Sequence, residues 1–302
     1  MLQNDLLSMG ELTEEDILDL IDLGIDLKQK LKSGEPHPYL EGQTLGMIFE
    51  KSSTRTRVSF ETGIYQLGGQ GLFLSTNDIQ MGRGEPICDT ARVLSRYIDG
   101  IMIRTFAQET VEQLAEYATI PVINGLTDYA HPCQVLADFM TIKEHKGALR
   151  GLKIAFIGDG NNMANSLIAG GLICGMEVAI ACPKAYAPHP KILAFAEGKP
   201  FTMTDDLYAA AKDADVIFTD VWASMGQEGE AEKRRAAFRG YQVNRELMAA
   251  AKPDAMVQHC LPAHRGEEIT ADVFEEHADE IFDEAENRLH AQKAVMVRLM
   301  RK

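Results

Sequence analysis

Short apolar runs alternate with stretches of helical periodicity along the whole chain, and this alternation is the feature that most restricts the fold. TLGMIFE (44–50), GLFL (71–74), GIMIR (100–104) and IPVIN (120–124) read as strands. Helical patterns follow them in RTRVSFETGIYQLGG (55–69), TARVLSRY (90–97), TVEQLAEYA (110–118) and QVLADFMTIKEH (134–145). Strand–helix alternation of this kind builds a parallel sheet wrapped by helices. An opening helix precedes it, with a capping box formed by Thr13 and Asp16 and a stop at Gly34. KGALRG (146–151) reads as a linker, and the rhythm restarts with strands KIAFIG (153–158), EVAIAC (177–182), DVIFTD (215–220) and AMVQHC (255–260). The predicted class is therefore α/β with two domains, over 1–145 and 146–285, each a parallel sheet flanked by helices. An amphipathic C-terminal helix over 286–302 is expected to pack back on the first domain. The charged segment GQEGEAEKRRAAFRG (226–240) has no apolar period and reads as a mobile loop.

Composition narrows the partners. The chain has 302 residues, 45% of them hydrophobic, enough for two ordinary cores. A net charge of −15 leaves no broad basic face for a phosphate backbone, which argues against nucleic acid. The N-terminus carries acids rather than a basic leader, and no apolar run approaches the length that spans a bilayer, so the expectation is a cytoplasmic protein without a membrane partner. Five cysteines (Cys88, Cys133, Cys174, Cys182, Cys260) without CxxC spacing point to neither a disulfide framework nor a zinc knuckle.

In open parallel sheets, ligands bind beyond the carboxyl ends of the strands. In the first domain those ends carry Ser52, Ser53, Thr54, Arg55, Thr56 and Arg57, then Arg104, then a turn containing His131 and Gln134. An arginine-rich turn standing alone is usually a solvated surface. Here three strand ends converge, and hydroxyls, guanidinium groups and a helix N-terminus together suit a phosphate-sized anion. The second domain offers Gly158 to Asn162, then Asp220, then His259, Cys260 and Leu261. One carboxylate with a row of amides suits an ammonium group, and the pairing of anion and amine across an interdomain cleft suggests group transfer. Cys260 fits either a buried thiol or an active-site ligand. IGDGNNM (157–163) is not a dinucleotide fingerprint, because Met163 stands where its third glycine would be.

Four ordered motifs, SSTRTRVSFE (52–61), HPCQVLAD (131–138), TDVWASMGQE (219–228) and HCLPAHRGEE (259–268), resemble those of the ornithine carbamoyltransferases over nearly the whole chain. The resemblance implies that carbamoyl phosphate is bound by Ser53, Thr54, Arg55, Thr56, Arg104, His131, Pro132, Cys133, Gln134, Cys260, Leu261 and Arg288, with Gln80 reaching into a neighbouring subunit's site. It implies ornithine binding by Asn162, Asp220, Ser224 and Met225, and catalytic roles for Arg55, Arg104, His131, Asp220 and Cys260. It further implies a cis Leu261-Pro262 bond, a homotrimer or a multiple of trimers, and no cofactor or metal. Met81 and Arg83 depart from the histidine and lysine that many relatives carry in that loop. The implied reaction transfers the carbamoyl group to the δ-amine of L-ornithine, giving citrulline and phosphate, with arginine biosynthesis as its expected setting. Putrescine or acetylornithine is the alternative acceptor.

Overall fold

A computed structural model describes residues 4–223 and 228–301. The chain divides into two compact units, Met1–Met140 with Asn287–Lys302, and Thr141–Glu286.

The first unit opens with α1 (Glu14–Ser33). Thr13 and Asp16 form the reciprocal capping box, and Gly34 closes the helix in the left-handed conformation at φ 74°. There follow β1 (Thr44–Phe49), α2 (Thr54–Gln66), β2 (Gln70–Ser75), α3 (Ile87–Leu94), β3 (Gly100–Arg104), α4 (Gln108–Tyr117), β4 (Val122–Leu126) and α5 (Pro132–Lys146), whose residues from Thr141 onward belong to the second unit. The four strands form a parallel sheet in the order β2-β1-β3-β4. The strands β1, β3 and β4 are buried almost throughout, as strands covered on both faces must be. Their core includes Ile48, Ile101, Ile103, Val111, Leu114 and Val122. At one edge, Leu6 bridges Ile123 and Asp5 accepts from the Val122 amide, which covers backbone groups that an open edge would expose.

The second unit holds β5 (Lys153–Ile157), α6 (Asn162–Ile173), β6 (Glu177–Ala181), α7 (Pro190–Ala196), β7 (Phe201–Thr204), α8 (Leu207–Ala211), β8 (Val216–Thr219), α9 (Ala231–Ala237), α10 (Arg245–Met248), β9 (Met256–His259) and α11 (Ala271–Glu276). Its five strands are parallel in the order β7-β6-β5-β8-β9. The order reverses beside β5, so the carboxyl ends of β5 and β8 flank the switch point where ligands gather in such sheets. The last helix, α12 (Ala278–Met300), starts in this unit, and its residues from Asn287 onward belong to the first.

The structure corrects several readings of the sequence. Positions 226–227 of the charged segment lie outside the described residues, and the rest is not a loop throughout: it contains α9, where Arg234 is buried together with Phe238 at the helix end. An arginine that packs its stem and pairs its head occupies an inward helical position, so a count of apolar residues alone finds no period there. Gln134 lies in the first turn of α5 rather than in the preceding turn, and β4 runs two residues later than expected, past Pro121. The short elements α7, β7, α8 and α11 carried too few residues for a periodic signal.

Candidate functional site

In the first unit, chemistry concentrates at the N-terminus of α2. Ser53 caps that helix: its hydroxyl accepts from the Thr56 amide at 3.2 Å and lies 3.1 Å from the Thr56 hydroxyl. The buried Thr56 Oγ1 also receives Arg104 Nη1 at 3.4 Å and Arg288 Nη2 at 3.3 Å. Arg288 Nη1 donates to Gln134 Oε1 at 2.6 Å, and the Gln134 amide donates to Asp138 at 2.8 Å. Two buried guanidinium groups thus meet on one hydroxyl oxygen. Bringing like charges together inside a protein is unfavourable unless an anion joins them. His131 is buried beside them. Burial first, then the positive fields of Arg288 and Arg104, hold its ring well below the usual histidine range, so the imidazole is neutral at physiological pH.

The strand-end loops that carry these groups are bolted together. The Glu50 and Lys51 amides both donate to the Arg104 carbonyl, at 2.9 and 3.4 Å, and the Thr105 amide donates to the Leu126 carbonyl at 3.0 Å. Lys51 is buried, pairs with Asp128 and lies 4.4 Å from the centre of the Phe106 ring. Sequence reasoning passed over Lys51 because its buried position depends on residues from two other loops. Arg55 and Thr54 are exposed in the first turn of α2. Arg57 faces elsewhere, stacked 3.8 Å over Phe73 and bonded to Glu61 at 3.3 Å. Gln80 is exposed in a short 3-10 turn, Gln80–Arg83, that also carries Met81 and Arg83. Pro132 is buried at the start of α5. The Cys133 thiol is fully buried, bonded to the Asn124 carbonyl at 3.5 Å and pushed up to about 12 by burial.

In the second unit, Asp220 follows β8 and is buried. Its Oδ2 accepts from Asn161 Nδ2 at 3.0 Å, and its Oδ1 from the Val221 amide at 2.8 Å and the Cys260 thiol at 3.2 Å. Asn161 also caps α6 through the Met163 and Ala164 amides. The amide that touches Asp220 is therefore that of Asn161, and Asn162 lies half-buried in the next position. Cys260 and Leu261 occupy the loop after β9, where the Leu261-Pro262 bond is cis and Leu261 sits at φ 57°. The Leu261 amide donates to His259 Nδ1 at 2.9 Å, so His259 carries its proton on Nε2 and donates it to Glu268 at 3.1 Å. Ser224 and Met225 lie outside the described residues.

Beside Asp220 lies a second buried carboxylate, that of Asp159, which is ion-paired with Arg234 of α9. Burial pushes the Asp159 carboxyl up to about 6; Arg234 opposes that rise and Asp220 adds to it. Arg234 Nε donates to the Trp222 carbonyl at 2.5 Å, and its guanidinium lies 4.8 Å from the Tyr186 ring centre and 5.6 Å from that of Phe238. Asp159 was visible in the sequence as one more polar residue after a strand, whereas its pairing with a residue inside the charged segment was not. Asp220, His259 and Cys260 bring possible metal-ligand atoms within 4.8 Å of one another, but both ring nitrogens of His259 are already engaged. His264, Glu267 and Glu268 form a similar group in which Glu267 is bonded to Arg235 and Glu268 to His259.

An anion-shaped cluster at the strand ends of one α/β unit and a carboxylate–amide cluster at those of another define a class of two-substrate transferase architecture. The chain belongs to the aspartate/ornithine carbamoyltransferase family: residues 4–144 match that family's carbamoyl-P binding domain and residues 150–299 its Asp/Orn binding domain. It is 59% identical to an ornithine carbamoyltransferase of Pelobacter propionicus, with 97% of each chain covered. It is 56% identical to one of Thermococcus kodakarensis, covering 98% of this chain and 96% of that one. The solved structure of ornithine carbamoyltransferase from Pyrococcus furiosus superposes with a TM-score of 0.93 at 53% identity, covering 98% of this chain and 96% of its own.

Proposed function

We propose that the protein transfers the carbamoyl group of carbamoyl phosphate to the δ-amine of L-ornithine, releasing L-citrulline and phosphate. The observation that carries this reading is the meeting of Arg104 and Arg288 on Thr56 Oγ1, a concentrated positive site in a chain of net charge −15. Ser53, Thr54, Arg55, Thr56 and the first amides of α2 take the phosphate, joined by Gln134 and Arg288 and by the main chain of Pro132, Cys133, Cys260 and Leu261. Arg104, neutral His131 and Thr56 donate to the carbonyl oxygen as it gains charge. Asp220, supported by Asn161 and Cys260, binds the α-ammonium group of ornithine, with Asn162, Ser224 and Met225 completing the pocket.

The δ-nitrogen lone pair attacks the carbonyl carbon, the carbon–oxygen bond to phosphate then breaks, and the nitrogen loses one proton. An alkyl ammonium has an ordinary pKa of about 10.4, so the attacking amine must first be deprotonated. Asp220 orients ornithine through its α-ammonium group, Cys260 lies beside the path of the δ-nitrogen's proton, and the departing phosphate is that proton's final acceptor. This chemistry draws on no organic cofactor. Activity is expected to rise toward alkaline pH.

The same reading includes a homotrimer. On the first unit Val58, Tyr65, Leu72 and Phe73 leave apolar surface exposed around the edge strand β2, Tyr65 to 78%, which supports burial against another copy with Gln80 contributed to the neighbouring site. A cytoplasmic setting in arginine biosynthesis goes with it; among the described residues no helix is long and apolar enough to cross a membrane. The test is citrulline formation from carbamoyl phosphate with ornithine, putrescine, acetylornithine and aspartate as parallel acceptors. Ornithine should give the highest kcat/KM; a preference for any of the other three would overturn the reading.

A further inference from the structure

We infer that Arg234 and Asp159 form a specificity-determining pair that fixes the charge of the amine site at one uncompensated carboxylate, Asp220, and so selects zwitterionic amino acids over diamines. This rests on the proposed amine-binding role of Asp220. The pair lies wholly in the second unit, and its side chains make no bond to Asp220 itself.

Four observations support it. Asp159 and Arg234 are 6% and 4% exposed, so water screens their charges little. Their ion pair leaves Asp159 neutralised, although it follows the same strand whose next residues lead to Asn161 and hence to Asp220. Burial raises the Asp159 carboxyl, Arg234 opposes that rise, and the field of Asp220 adds to it, so the two carboxylates lie within electrostatic reach. Arg234 is held rigidly by the Trp222 carbonyl and the Tyr186 and Phe238 rings, where it cannot swing to solvent when an amine arrives.

The cluster of Asp220, Asp159 and Arg234 therefore carries a net charge of −1. That charge matches one α-ammonium group and tolerates the α-carboxylate attached to it. Without Arg234 the Asp159 carboxyl rises further, so the cluster would carry −2 only at alkaline pH, where it would attract a diamine more strongly and repel the carboxylate of an amino acid. Without the Asp159 charge it would carry zero, and the preference would shift the other way. Each change alters the ligand's surroundings by one full buried charge, and tenfold in an equilibrium constant is about 1.4 kcal/mol.

The test compares competitive inhibition of citrulline formation by putrescine, a dication, and by 2-aminopentanoic acid, a zwitterion of ornithine's length without the reacting amine. The ratio of the two inhibition constants is measured in the wild type, Arg234→Met, Asp159→Asn and the double variant. Measured at alkaline pH, where Asp159 is ionised even without its cation, the expected result is a shift of about tenfold or more toward putrescine in Arg234→Met and toward 2-aminopentanoic acid in Asp159→Asn, with the double variant near the wild type. In Arg234→Met the shift should fade as pH falls and Asp159 takes up a proton. If Arg234→Met does not fold, the direction of change in Asp159→Asn decides alone. Variants that weaken both inhibitors equally, or shift the ratio in the same direction, would overturn the inference in favour of a purely structural pair. A wild type that forms no citrulline would instead overturn the functional reading on which it rests.

Discussion

Arg288 donates to Gln134 Oε1 at 2.6 Å across 154 positions of sequence, tying the C-terminal helix to the first turn of α5. The same guanidinium reaches Thr56 at the head of α2, so one side chain joins three elements around the candidate anion site. Replacing Arg288 with methionine keeps the volume of the stem and removes the charge and both bonds. A hydrogen bond to a charged group is worth about 1.5–3 kcal/mol, so affinity for inorganic phosphate should fall about tenfold or more in calorimetric titration. Unchanged affinity would remove Arg288 from the site.

Arg104 is expected to act mainly on the transition state. Losing one donor to a developing oxyanion lowers turnover by about a hundredfold to a thousandfold. Arg104→Leu should therefore depress kcat by about that factor in steady-state assays while KM for ornithine changes far less. Retention of normal turnover would show that the developing charge is stabilised elsewhere.

Lys293, buried on α12, gives a pH dependence of stability. Its ammonium group donates to Gln66 Oε1 at 3.0 Å and to His37 Nε2 at 2.7 Å, the latter an acceptor because His37 Nδ1 donates to the Glu35 carbonyl. Burial pushes Lys293 down to about 8 from an ordinary 10.5. Between those values the unfolded chain binds more protons than the folded one, so this residue's contribution to stability increases as pH rises through the window and is smallest below pH 8. In chemical denaturation between pH 7.5 and 9.5, Lys293→Met should lack that increase. Identical slopes in variant and wild type would contradict the assignment.

How much of this was legible in the sequence differs between the two clusters. The turn after β1 announced itself, because hydroxyl and arginine residues directly follow an apolar run and Ser53 is a ready helix cap. Arg104, His131 and Asp220 were likewise found from their places after strands. Arg288 was reached only through family resemblance, since nothing local to a helical tail marks one arginine among its neighbours. Arg234 was missed because its burial comes from Asp159, 75 positions earlier, and from the Tyr186 ring on a separate loop as well as the nearby Phe238. Periodicity reports which face of a helix is apolar; it does not report which charged side chain a distant carboxylate draws inward.

Gly160 marks a place where the backbone itself constrains the amine site. A Cβ there would stand 2.4 Å from both the Pro188 nitrogen and the Tyr186 carbonyl oxygen, so no side chain fits without moving the segment that supports Arg234. Gly160→Ala should lower stability by about 1–3 kcal/mol or more and raise KM for ornithine, measured by denaturation and initial rates. A variant with wild-type stability and KM would mean that the loop yields freely.

The central claim is a division of labour: one unit recognises the anion and the other the amine. Inorganic phosphate titrated into Arg288→Met and Asp220→Asn tests it most directly, because both variants remove a buried charge but from different units. Arg288→Met is expected to lose most of its phosphate affinity while Asp220→Asn keeps that of the wild type. Equal losses in both variants, or a loss confined to Asp220→Asn, would contradict it.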